Sequence, residues 1–131
     1  MSAEPAPTTL YDALGGAVGL RALVDRFYAL MDTLPEARTI RAMHPADLSG
    51  SVEKLFEFLS GWTGGPPLYI EKHGHPRLRA RHMPFPIDTP AAQAWMRCMS
   101  QALTEQVPDA QLRDQLVAAF TNVAAHMRNR G

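Results

Sequence analysis

The segment Arg77–Ile87 reads RLRARHMPFPI, and the fold turns on how it is understood. Arginine stands at 77, 79 and 81, and His82 follows directly. Pro84 and Pro86 come next. Each lacks an amide N–H and restrains the residue before it, so no helix runs on through them. The charge points to an anionic partner. The histidine points to a metal, a proton, or no special role. Its surroundings have to decide between these.

Working outward, Leu68–Ile87 shows no long hydrophobic period and holds three of the five histidines. It predicts a mostly irregular segment with one or two helical turns around Pro76 to His82. Downstream, Asp88 or Thr89 can cap a helix with Pro90 at its first position. That helix carries Ala94, Trp95, Cys98, Met99 and Leu103 and should end near Pro108. Asp109 starts a last helix, with Leu112, Leu116, Ala119, Phe120, Val123 and Met127 on one face. Upstream, Leu48, Val52, Leu55, Phe56, Leu59 and Trp62 form an apolar stripe with Phe58 beside it. Gly64-Gly65-Pro66-Pro67 stops it. Leu20, Leu23, Val24, Phe27 and Met31 mark an earlier helical face with Tyr28 on its edge. Pro35 suits the first turn of a short helix that includes Ile40 and Met43, and His44-Pro45 breaks it. No run reads as a strand. The pattern predicts an all-α domain over 1–131, with four main helices and residues 1–9 as a frayed extension.

The chain has 131 residues, 13 basic and 13 acidic, for a formal net charge of zero. A general binder of nucleic acid or anionic membrane usually carries a clear basic excess, so neither is expected. The arginine cluster is local, and its target is small. A single cysteine, Cys98, permits no intrachain disulfide and suits a reducing compartment. MSAEPAPTT has no basic start and no apolar run, so no signal peptide is expected. No stretch is long enough to span a membrane, and a cytoplasmic location is expected.

A histidine held at the edge of an apolar cavity suits axial ligation of a haem iron, and Phe85 and Ile87 supply apolar surface beside His82. Arg77, Arg79 and Arg81 are then candidates for the haem propionates. Structural zinc competes, with His73, His75, His82 and Cys98 as donors, but their spacing matches no usual zinc pattern. The plainer readings are a surface histidine, solvated arginines, Tyr28 and Trp95 as packed rings, His44 as a loop residue and Cys98 as a buried small side chain.

YDALGG at 11–16, FYALM at 27–31, GGP at 64–66, GHPRLRARHMPF at 74–85 and AWMRCM at 94–99 together resemble a truncated haemoglobin of the second group. The resemblance runs from about Tyr11 to the carboxyl terminus. It implies a two-over-two helical sandwich enclosing haem b, with His82 as the proximal iron ligand. It implies Trp95 lining the distal pocket and the Tyr28 hydroxyl pointing at bound ligand. His44 falls where the family more often has tyrosine or phenylalanine. Ser51 falls where classical globins have the distal histidine, and Leu55 should overhang the iron. Lys54, Arg81 and Tyr69 match positions that hold propionates, and Phe58 and Phe85 join the cofactor-binding set.

Oxygen, nitric oxide, carbon monoxide or peroxide are the ligands so implied. Four distal donors, on Tyr28, Trp95, His44 and Ser51, would slow oxygen release. That favours redox chemistry, such as nitric oxide dioxygenation or peroxide breakdown, over oxygen transport. With no flavin or nicotinamide domain expected, electrons would come from a separate reductase. The alternatives are simple oxygen binding, storage or sensing without turnover, and a helical interaction module with incidental histidines. Either a monomer or a homodimer is compatible with the sequence.

Overall fold

The computed structural model describes residues 9–130. The expected extension therefore lies outside the described residues except for Thr9, which is not frayed. Its hydroxyl accepts a hydrogen bond from the Asp12 amide at 3.0 Å and caps a first helical turn, α1 (Leu10–Ala13). Then come α2 (Gly16–Thr33), a 3-10 turn (Pro35–Ala37), α3 (Arg38–Ala42), α4 (Ser49–Trp62), α5 (Leu68–His73), α6 (Leu78–His82), α7 (Thr89–Gln106) and α8 (Ala110–Met127).

The four long helices are those that the apolar stripes predict, and they form the two layers. The α2–α4 pair packs on the α7–α8 pair, with α2 against α7 as the main contact between layers. Leu20, Leu23, Val24, Phe27 and Met31 of α2 are buried against Cys98, Met99 and Leu103 of α7 and Leu116 and Phe120 of α8. The caps follow the sequence as well. The Asp88 carboxylate accepts from the Ala91 amide at 2.8 Å, and the Asp109 carboxylate accepts from the Gln111 amide at 2.9 Å. Among the described residues, no helix is long and apolar enough to cross a membrane.

The turn after α4 needs its glycines. Gly64 has φ +94°, and a Cβ on Gly65 would overlap the Tyr11 ring. This close approach lets the Tyr11 amide donate to the Thr63 carbonyl at 2.9 Å, which seats α1 on the end of α4.

The segment expected to be mostly irregular holds two short helices. The turn near His82 was legible as α6, but α5 was not. The fold secures α5 through Tyr69, buried edge-on to Phe58 at 6.3 Å, and through Glu57 of α4. Glu57 is only 4% exposed and meets Lys72 Nζ at 2.5 Å and His73 Nε2 at 3.3 Å. The hydrogen bond from Lys72, helped by His73, outweighs burial and holds the Glu57 carboxyl below its ordinary value of 4.5. A carboxylate with a lowered folded pKa stabilises the fold above its unfolded pKa, and this contribution disappears as pH falls through the folded value. Glu57→Gln is therefore expected to lower the melting temperature at neutral pH by several degrees. The gap from the unsubstituted protein should close as pH falls below 4.5. Thermal unfolding followed by circular dichroism across pH checks both expectations.

Candidate haem-binding site

His82 is the last residue of α6 and is half-buried. Its Nδ1 lies 2.6 Å from the Leu78 carbonyl oxygen. A carbonyl can only accept, so Nδ1 carries the proton and donates it. The neutral ring then keeps its lone pair on Nε2, the tautomer required of an Nε2 metal ligand, with the other nitrogen anchored to backbone. His44 is arranged the same way, donating from Nδ1 to the Ile40 carbonyl at 2.8 Å. Its one neutral N–H is therefore already used. The sequence-level expectation of a donor at His44 holds only for the protonated ring.

Tyr28 is 7% exposed and lies edge-on to His44, with centroids 5.9 Å apart. Phe27 joins this pair to α7: its ring is 5.0 Å from Tyr28 and 5.0 Å from Trp95. Burial lifts the Tyr28 phenol well above its ordinary pKa of 10.0, so it remains a donor through the physiological range. Its hydroxyl makes no hydrogen bond with the described residues, yet no sealed side-chain polar atom lacks a partner. The hydroxyl therefore opens onto free volume. The Trp95 indole N–H and the Ser51 hydroxyl also have no protein partner among the described residues. Ser51 and Leu55 are half-buried one turn apart on α4, and Leu55 packs on the core. Tyr28, His44 and Trp95 are thus gathered through one ring cluster, with α4 supplying the adjoining wall.

The arginines separate. Residues two apart on a helical turn face different ways. Arg79 donates to the His126 carbonyl at 3.1 Å and ties α6 to α8. Arg77 caps α6 in the left-handed region, φ 47°, and its amide donates to His75 Nδ1 at 3.1 Å. Arg81 alone lies over the Tyr69 ring, at 5.7 Å, with its Nε donating to the Pro76 carbonyl at 2.7 Å. Lys54 is exposed on α4 and makes no ion pair with the described residues. Arg81, Tyr69 and Lys54 thus retain cationic or phenolic groups for carboxylates, whereas Arg79 is spent on the fold. Phe58 borders a cavity of about 400 Å³ with Leu78, Ala80 and His126. His82 and Tyr28 do not line that cavity. Phe85 is 39% exposed on the turn after α6.

The zinc arrangement does not form. Among the described residues, no three His, Cys, Asp or Glu side chains are placed to hold a metal ion. His73 is bound to Glu57, and Cys98 is fully buried in the core. A single half-buried histidine whose Nε2 is free suits an iron whose other in-plane ligands come from a porphyrin.

One residue at this site escaped sequence reasoning. Asn129, just past α8, donates from Nδ2 to the carbonyls of His82 at 3.1 Å and Phe85 at 3.0 Å, and its Oδ1 accepts from the Ile87 amide at 2.9 Å. An asparagine after the last apolar position carries no periodic signal that could have marked it.

The bacterial-like globin family matches residues 9–129. The chain is 40% identical over 119 residues to group 2 truncated hemoglobin YjbI of Bacillus subtilis, covering 91% of this chain and 87% of that protein. The group II 2-on-2 hemoglobin of Agrobacterium tumefaciens superposes with a TM-score of 0.92 at 50% identity, over 100% of both chains. A structure described as a truncated oxygen-avid haemoglobin from Bacillus subtilis matches with a TM-score of 0.85 at 39% identity, over 93% of this chain and 100% of that one. Fold and kinship agree: the chain belongs to the bacterial-like globins, as a group II truncated haemoglobin, a two-on-two helical globin whose family binds small gaseous ligands at haem.

Proposed function

We propose that this globin binds haem b through His82 and holds oxygen tightly enough to react it with nitric oxide or to process peroxide in the cytoplasm, rather than to deliver it. Haem supplies an iron that binds diatomic gases and exchanges single electrons. His82 Nε2 holds that iron, and the Nδ1 bond to Leu78 fixes the ring. Leu55, Phe58 and Phe85 give the macrocycle apolar surface. Tyr28 and Trp95 direct their donors at the gas, and Ser51 adds a third donor, a hydroxyl from α4.

The observation that carries this reading is the Tyr28 hydroxyl, which belongs to a ring only 7% exposed, opens onto free volume and has no partner among the described residues. A donor left free beside an apolar ring cluster is available to a bound acceptor, and such a hydrogen bond contributes about 0.5–1.5 kcal/mol net. The oxygen-avid description of the Bacillus subtilis relative is consistent with the same character here. A globin that releases oxygen slowly is a poor carrier. Turning nitric oxide and oxygen into nitrate consumes one electron per cycle, which a separate reductase supplies. The test is to add reductase, its reduced nicotinamide and nitric oxide to the aerobic haem-loaded protein. Sustained nitrate formation beyond one equivalent per haem is expected. A single stoichiometric burst, with no peroxide consumption either, would leave only gas binding.

Lys54 and Arg81 are assigned to the propionates, with Tyr69 beside Arg81. Charge-assisted hydrogen bonds are worth about 1.5–3 kcal/mol, less where exposed, as both groups are. Lys54→Ala and Arg81→Ala are each expected to speed haem transfer to an acceptor apoprotein several-fold while the ferrous spectrum stays unchanged. Equal transfer rates in all three proteins would remove the assignment.

A further inference from the structure

We propose that Asn129 is a positioning residue for His82, so that the segment after α8 sets the seat of the iron ligand. The inference rests on the reading of His82 as that ligand.

The need for such a residue follows from α6 itself. It has five residues and buries none of them. A helix this short does not hold itself together in water, and here no apolar face presses it into place. The turn that follows is poor in donors, since Pro84 and Pro86 have no N–H. Within it the Phe85 amide reaches back to the His82 carbonyl at 3.0 Å, and the remaining ties come from outside the turn.

Asn129 meets this need with one side chain. Its two amide hydrogens go to the carbonyls of His82 and Phe85, and its oxygen takes the Ile87 N–H. Its own backbone N–H donates to the Ile87 carbonyl at 2.9 Å, and Arg130 N–H donates to the same oxygen at 3.1 Å. Both ends of the turn are therefore fixed to one residue. The bond at the His82 carbonyl acts on the ligand's own backbone. Arg79, donating to the His126 carbonyl, completes the tie between α6 and α8. No side chain other than an amide supplies two hydrogens and an acceptor at this reach.

Two substitutions separate the roles. Asn129→Asp keeps the acceptor for Ile87 and loses both donors to His82 and Phe85. Asn129→Ala loses all three. In the haem-loaded protein, Asn129→Ala should expose the Ile87 amide to hydrogen exchange, and Asn129→Asp should leave it protected. Both variants should shift and broaden the iron–histidine stretching band of the ferrous protein and speed haem transfer about tenfold, as expected for two lost hydrogen bonds at a ligand's backbone. An iron–histidine band at its original position and width in both variants would overturn the proposal, as would unchanged Ile87 exchange in Asn129→Ala. Absence of that band from the unsubstituted protein would instead overturn the assignment of His82.

Discussion

Replacing His82 with alanine is expected to strip the protein of most of its haem. The neighbouring histidines in sequence are engaged. His73 is tied to Glu57, His75 receives the Arg77 amide, and α6 offers no second ligand. Loss of an outer-shell partner alone typically costs about 10–100-fold in metal affinity, so loss of the ligand itself should exceed about 100-fold. The Soret absorbance per polypeptide after gel filtration reads this directly. Imidazole added to the variant should restore a five-coordinate ferrous spectrum, because the cavity left by the side chain accepts the free ring. An alanine variant with stoichiometric haem and an unaltered ferrous spectrum would show that the iron is held elsewhere.

Trp95→Phe is expected to raise the oxygen dissociation rate about tenfold, equivalent to about 1.4 kcal/mol of lost stabilisation. The substitution keeps a ring against Phe27 and Phe120, which lie 5.0 and 5.8 Å from Trp95, and removes only the N–H and the larger ring. Tyr28→Phe should act in the same direction but less strongly. The neutral His44 ring beside it has spent its N–H on Ile40 and offers an acceptor nitrogen. The Tyr28 hydroxyl can divide its time between that nitrogen and the gas, so removing it forfeits less. Because burial keeps the phenol protonated well past its ordinary value, alkaline conditions up to pH 10.0 should not imitate Tyr28→Phe. Stopped-flow oxygen dissociation on the three proteins tests these statements. Rates within about twofold of the unsubstituted protein for both variants would favour simple storage.

The long helices could be read from the chain because each buries a continuous stripe, and stripes of period 3.6 survive in one dimension. Asp88 and Asp109 were legible for a local reason, since a cap bonds within three residues of itself. The short elements were not legible. In α5 only Tyr69 is buried, and one buried residue has no period. Glu57, the residue that holds α5, sits in the middle of a different helix and looks like any surface glutamate there. The arginines at 77, 79 and 81 looked like a set in sequence. Helical geometry divides them among a cap, a tie to α8 and a place over Tyr69. His82 could be proposed for an iron from its own neighbours, but its grouping with Tyr28 and Trp95 came only through family resemblance, because no spacing rule joins residues from α2, α6 and α7. The tautomers of His44 and His82 depend on backbone carbonyls and are invisible until the helices are in place.

The hydrogen bond from Asn129 to the His82 carbonyl joins positions 47 apart in the chain. During synthesis, α6 is therefore made long before the residue that anchors it. Contacts of such span cost loop-closure entropy before they contribute stability, and they form late. Tyr28, His44 and Ser51 are made before α6, whereas Trp95 on α7 and Asn129 follow it. If His82 holds the iron as proposed, the tie at its carbonyl is complete only once the residue after α8 has been made and has docked, and firm haem retention is expected to follow that step.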